Sequence, residues 1–248
     1  MGQVRCQRNT EVAKVRSGKQ SAEPTGREAL IEAARALFAE RGIEGVSIRE
    51  LGRAADQRNN NAVQYHFGNR EALLLAVLAP HNQRVGARRA ALLDEVEAET
   101  APSTRSLASA LVRPSAAMLE DAAGRNYLRI VAELIADPVN LRRQGPFDDT
   151  ELGRWDRLAK RLMAETTLPL HRRFSAMNLC FSELGRRARA RRRGDHRLFV
   201  SDLLDLVTGL LSAEVSGETL GLLGERERDH DATATPPART PRARAKRS

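Results

Sequence analysis

Apolar positions recur along most of this chain at the 3-4-3 spacing of amphipathic helices, and strand-like alternation is scarce, so the pattern predicts an all-α protein. The first such stripe, Leu30, Ala33, Ala34, Leu37 and Phe38, follows a capping box at Thr25 and Glu28. Gly42 then suits a left-handed helix ending, with Ile43 folding back on Phe38 as in a Schellman motif. A second capping box, Ser47 and Glu50, opens a short helix carrying Ile48, Leu51 and Ala55 on its apolar side. Asp56, Gln57 and Arg58 break the pattern, and Asn59 is placed to cap a third helix through Phe67. That helix has few apolar residues (Ala62, Val63, Phe67). Asn60, Asn61, Gln64, Tyr65 and His66 all carry hydrogen-bonding groups, which a core helix would waste and a DNA major groove would use. The stretch from Ser47 to Phe67 therefore reads as a helix-turn-helix with residues 60–66 as its recognition helix.

Beyond it, Asn69 caps a long helix reaching about Glu97, with Leu73, Leu74, Val77 and Leu78 on its buried face and a kink expected at Pro80. Residues 103–120 form a helical pattern interrupted by Pro114, and residues 125–136 form another. Thr150 opens a helix with Leu152, Trp155, Leu158, Ala159, Leu162 and Met163 on one face. Phe174, Met177, Phe181, Leu184 and Ala188 then fall on a seam at coiled-coil period. The helix at about 197–215 is apolar on more than one face (Leu203, Leu204, Val207, Leu210), so it should be covered from two sides. Phe174, Met177, Phe181, Leu184, Leu203, Val207 and Leu210 are thus expected at a dimer interface. The division that follows is a tail without order at 1–22, a helix-turn-helix domain at 23–70, a helical domain at 71–222 and a basic tail without order at 223–248.

The net charge of +9 sharpens this less than it first suggests. Residues 1–22 hold five Lys/Arg against one Glu and residues 225–248 seven against four acids, whereas within 24–71 seven Arg meet seven acids. Arginine outnumbers lysine 37 to 4, which reads as a coding bias, and the run Arg186 to Arg193 suits the end of a long helix. The longest apolar run, Ala72 to Ala79, is far short of a membrane span, and the N-terminus lacks a signal-peptide pattern. Cys6 and Cys180 predict no disulfide framework, so a cytoplasmic protein is expected. His81, His171, His196 and His230 show no metal-ligand spacing, no Ser/His/Asp set or phosphate loop stands out, and no catalytic residue, metal or cofactor is expected.

The run REALIEAARALFAERGIEGVSIRELGRAADQRNNNAVQYHFGNREALLLAVL resembles the N-terminal domain of TetR-type (tetracycline-repressor-like) transcriptional regulators, including the ARALFAERG ending and the Y-H-F-x-x-[KR]-E-x-L-L junction. Gln57 stands where that family usually has a turn glycine, Arg58 where it has a small apolar residue, Gln64 where a tyrosine is usual and Arg70 where a lysine is usual. The resemblance implies a homodimeric repressor that binds a pseudo-palindromic double-stranded DNA operator and responds to a small-molecule effector. Asn60, Asn61 and Gln64 are the candidates for base edges. Tyr65, His66, Ser47, Arg49, Thr25, Arg27 and Arg70 are candidates for phosphate, with Arg58 and Asn59 at the turn. Met118, Tyr127, Phe147, Trp155 and Phe174 are the aromatic and thioether side chains that could line an effector cavity, though such residues at helical spacing are more often core. Two other readings stay open: a helical ligand- or partner-binding dimer without DNA function, and an α-helical enzyme acting on a hydrophobic small molecule.

Overall fold

The computed structural model describes residues 25–57, 61–136, 150–190 and 194–234. The expected N-terminal tail, Arg58, Asn59, Asn60 and Phe147 lie outside the described residues. Within them the chain is all-helical, with a small N-terminal head and a larger C-terminal body.

The head consists of α1 (Gly26–Arg41), α2 (Ile48–Ala54) and α3 (Ala62–Phe67), backed by the first turns of α4 (Arg70–Ala98). Both capping boxes form. Thr25 and Glu28 start α1, and Ser47 and Glu50 start α2. Leu30, Ala34, Phe38, Ile43, Val46, Leu51, Val63, Leu73 and Leu74 fill the space between these helices. Because α4 runs unbroken past Pro80, one helix serves head and body alike.

The end of α1 differs from a Schellman ending. Gly42 takes φ 83° and its amide donates to Phe38 O at 3.0 Å, but the amide of Ile43 turns outward to Glu133 Oε1 at 2.8 Å. Glu133 belongs to α6 (Ala122–Ala136), so a carboxylate of the body completes a helix cap of the head.

The body continues with α5 (Thr104–Ala116), which closes in a 3-10 turn at Ala117–Leu119, then α6, α7 (Glu151–Leu162), α8 (Arg172–Arg189), α9 (Arg197–Ser212) and α10 (Gly217–Ala234). Pro114 lies inside α5 and leaves the carbonyl of Ala110 without its ladder donor. The buried Arg89 of α4 supplies the substitute, Nε donating to Ala110 O at 3.2 Å and Nη2 to Ser115 Oγ at 3.0 Å. Arg154 ties α7 to the far end of α4 through Asp94 (2.6 Å) and Glu97 (2.8 Å).

Two expectations are corrected here. The coiled-coil seam of α8 packs mainly inside the subunit: Phe181 and Leu184 are buried, and so are Leu203 and Val207 of α9. The reason is α6, which lies so close to α8 that a Cβ on Gly185 would stand 2.5 Å from that of Ala132. Phe174, Met177 and Leu210 remain partly exposed, and α9 also presents Leu198 and Leu206, 83% and 49% exposed. The second correction concerns the C-terminal tail, expected to lack order from 223, which is helical to Ala234. The Ser216 hydroxyl accepts from the Thr219 amide at its start, and Leu, Glu and Arg are good helix formers. Among its described side chains none is buried.

At the junction of α1, α4 and α6, His81 stacks on Tyr127 with ring centroids 5.2 Å apart, and its Nδ1 is buried without a partner. Burial, reinforced by Arg35 and Arg84 and opposed by Asp121, holds its imidazole below the ordinary value of 6.5. The unfolded chain then takes up this proton at a higher pH than the folded one, so the stability is complete above about pH 6.5 and is lost as the pH falls below it. In His81→Phe, which keeps a ring against Tyr127, the loss between neutrality and the carboxylate range should shrink in urea unfolding at stepped pH.

Candidate nucleic-acid interface

The corner between α1 and α2 is built before anything on α3 can be placed. Glu50 receives the Ser47 amide (2.8 Å) and hydroxyl (2.7 Å), and Arg41 donates to its other oxygen at 2.8 Å. The Ser47 amide, then its hydroxyl, then Arg41 together hold the Glu50 carboxyl down to about 2. Arg41 also reaches Gly45 O at 3.0 Å, and a Cβ on Gly45 would lie 2.3 Å from Arg41 O, so only glycine fits that corner.

The turn after α2 is a Schellman motif with Asp56, not Gln57, as its left-handed residue, at φ 51°. The amide of Asp56 donates to Arg53 O (3.1 Å) and that of Gln57 to Gly52 O (2.9 Å). Aspartate tolerates this conformation better than most side chains, which explains how the turn closes without glycine. Gln57 instead folds its amide onto Ala55 O (3.1 Å).

Helix α3 begins at Ala62, with Asn61 at its N-cap position and no side-chain cap bond. Ala62 and Val63 face inward, and Gly68 at φ 80° ends the helix. Asn61, Gln64 and Tyr65 face solvent, Tyr65 with 81% of its surface exposed. His66 is half-buried, its ring edge-on to Tyr65 at 4.9 Å. A Cβ on Gly26 would lie 3.1 Å from Gln57 Oε1 and 3.4 Å from His66 Nε2, so the start of α1 meets the turn and α3 at close quarters. Arg27 stands over the Phe67 ring at 5.0 Å, which brings a cation beside the open face of α3.

The remaining candidates divide by what already holds them. The hydroxyls of Thr25 and Ser47 each donate to the carboxylate of their own capping box. Arg49 is exposed on α2. Arg53, also exposed and four residues further along the same face, was missed although its spacing from Arg49 made it readable. Arg70 is corrected: it does not reach outward for phosphate but donates from Nη1 to Val46 O at 2.6 Å and from Nη2 to Ile43 O, with its guanidinium 5.4 Å from the Phe38 ring. A planar fork suits two carbonyls in that corner better than an ammonium would.

Of the residues expected to line an effector cavity, Met118, Tyr127, Trp155 and Phe174 are among the described ones. Met118, Tyr127 and Trp155 are buried in the core, Trp155 Nε1 donating to Leu107 O at 2.9 Å and the Tyr127 hydroxyl to Asn82 Oδ1 at 3.0 Å, while Phe174 is half-buried at the surface. Burial pushes the Tyr127 phenol up to about 12. An open cleft of about 310 Å³ lies elsewhere, between α5 and α9, lined by Arg105, Arg113, Glu120, His196, Arg197 and Leu204 among others. Among the described residues no group of three or more His, Cys, Asp or Glu side chains could hold a metal ion, and no helix is long and apolar enough to cross a membrane.

Residues 30–77 match the family of bacterial regulatory proteins, tetR family, a span that holds α2 and α3, most of α1 and the first turns of α4. No curated protein matches the chain. Among solved structures, a TetR family transcriptional regulator, PfmR from Thermus thermophilus, superposes with a TM-score of 0.47 at 20% identity, over 79% of this chain and 100% of that one. A protein from Rhodococcus sp. assigned to the TetR-family transcriptional regulators gives 0.33 at 20% identity, over 82% and 97%.

If the Arg70 fork braces the corner, Arg70→Ala should lower stability by about 1–3 kcal/mol, since two carbonyls lose their donors. Arg70→Lys should recover only part of it, as read by denaturant unfolding.

Proposed function

We propose that this chain, TetR-type by its residues 30–77, is a ligand-responsive repressor that binds a pseudo-palindromic operator as a homodimer. The observation that carries the reading is the outward face of α3. Asn61, Gln64 and Tyr65 stand exposed on a short helix whose inner face is locked into a capped head. Amides at these positions suit base edges, adenine above all, while Tyr65, Arg27, Arg49 and Arg53 flank them for phosphate. Ser47, Thr25 and His66 add contacts at the rim once their present bonds are shared with phosphate. Two heads would then read half-sites about 34–36 Å apart, or a multiple of that.

Dimerisation is supported by what α8 and α9 leave uncovered: Phe174, Met177 and Leu210 in part, Leu198 and Leu206 largely. Apolar surface of this kind favours burial against a second copy. An effector bound in the body would release DNA if it prefers the arrangement of heads that does not fit the operator.

Alanine at both Asn61 and Tyr65 should abolish operator shift in a binding assay run at several salt concentrations, and Arg49→Ala should lower the salt slope by roughly 0.9. Unchanged affinity in the double variant would favour a helical ligand- or partner-binding dimer without DNA function. Leu206→Glu removes about 1.5–3 kcal/mol of apolar burial per subunit if α9 meets its twin. The dimer dissociation constant should then rise at least tenfold, as sedimentation would measure.

A further inference from the structure

We propose that the two-lobed cleft between α5 and the start of α9 binds a small organic dianion, two carboxylates on a short apolar skeleton. The inference names a ligand class for the ligand-responsive reading above, and its regulatory meaning rests on that reading.

Two open lobes of about 310 Å³ each meet at Glu120 and His196, which line both. That size lies at the low end for small-molecule sites, so the ligand is compact. Arg105 and Arg113 of α5 and Arg197 of α9 line the first lobe, and Arg125 of α6 and Arg187 of α8 line the second. Acids already match two of them: Arg105 meets Asp205 at 2.5 Å and Arg197 meets Asp195 at 2.6 Å. The other three bond to neutral atoms. Arg113 Nε donates to Ser109 Oγ at 2.9 Å, Arg125 Nη1 to Leu119 O at 2.9 Å, and Arg187 to His196 Nδ1 and Asp195 O. A guanidinium has five N–H donors, so most of the Arg113 and Arg125 forks stays open. Against these three cations the lining holds one further acid, Glu120, which leaves an excess of two positive charges. Two carboxylates cancel it.

Coding bias accounts for how many arginines the chain has, not for where they lack acids. Elsewhere on the body Arg154, Arg173 and Arg186 meet carboxylates at 2.6, 2.8 and 2.5 Å. Beside the second lobe like charges crowd instead. Arg129 follows Arg125 by one turn of α6, and burial, then Arg189, then Arg125 weaken its hold on its proton. Cations that converge on a concavity raise the local concentration of anions. His196 adds a neutral donor: an arginine only donates, so Nδ1 accepts from Arg187 Nε at 3.2 Å and the ring proton sits on Nε2. Ala116, Ala117, Val200 and Leu204 supply apolar wall in the first lobe and Leu119 in the second. Each carboxylate matches a planar fork in two parallel hydrogen bonds.

A ligand spanning both lobes bridges α5, α6, α8 and α9. Of these, α6 carries Glu133, which caps the first helix of the head, and α9 carries the exposed Leu206. Occupancy thereby reaches the head and the face left for a second copy.

The test is thermal unfolding of the full chain at neutral pH and matched ionic strength. Glutarate and adipate are compared with pentanoate and hexanoate, and with inorganic phosphate. A dicarboxylate should raise the midpoint with an apparent affinity about tenfold or more above that of its monocarboxylate. The preference should vanish in Arg113→Met and in Arg125→Met. It should persist in Arg88→Met, which removes an equal charge from an exposed site on α4 outside the cleft. Circular dichroism establishes that each variant is folded. The inference is overturned if a monocarboxylate or phosphate protects as well as the dicarboxylates, if both cleft variants keep the preference, if Arg88→Met loses it too, or if neither dicarboxylate acts up to millimolar concentration. The comparison on the unaltered chain decides even if a variant does not fold. Operator shift on the same samples separates the two readings. Dicarboxylate binding that leaves the shift untouched keeps the site and removes its regulatory meaning. A neutral compound that releases operator where both dicarboxylates fail sinks the dianion and leaves the regulator reading standing.

Discussion

The backbone between α1 and α2 is fixed from two sides, and the placement of the whole candidate DNA face depends on it. From α4, the Arg70 fork takes the carbonyls of Ile43 and Val46; from α6, Glu133 takes the amide of Ile43. Hydrogen bonds to charged groups each contribute about 1.5–3 kcal/mol, more than a neutral pair, so this corner is stiff relative to the loops beside it. Because α2 starts directly after Val46 and Ser47, its axis is set by that corner, and α3 is set in turn by the Asp56 turn. The head therefore hangs on polar contacts made by the helices that also build the body.

How much of this was legible in the residues follows their range. The capping boxes Thr25–Glu28 and Ser47–Glu50 and the Asn69 cap join residues three apart, so the side chain and the amide it meets are written within one turn. Gly68 and Gly42 were readable as helix ends for the same reason. Arg70 was not: its partners lie 24 and 27 residues back, and nothing local distinguishes an arginine that turns inward from one that reaches for phosphate. The break at Asp56, Gln57 and Arg58 is local and legible, but that the positive φ falls on Asp56 rather than on Gln57, at the family's glycine position, is not.

The α8 seam shows a different limit. Spacings of 3, 4, 3 and 4 along Phe174, Met177, Phe181, Leu184 and Ala188 specify that a helix has a mate, and they carry no information about which chain the mate belongs to. Gly185, small enough to let α6 approach, decides it in favour of α6 for Phe181 and Leu184. Similarly, Met118, Tyr127 and Trp155 have residue types that cavity linings and cores share, and all three are buried. The polar member of that region, Arg89, lies on the same four-residue row as Val77, His81, Val85 and Leu93, but its residue type did not mark a buried position.

Trp155 is the sole tryptophan in the chain, and it sits fully buried in α7 with its indole nitrogen bonded across to α5. Its emission therefore reports on the body alone, while the head contributes helicity but no indole. A mismatch between intrinsic fluorescence and far-ultraviolet ellipticity during melting would separate the release of the head from the collapse of the body, without any label being introduced.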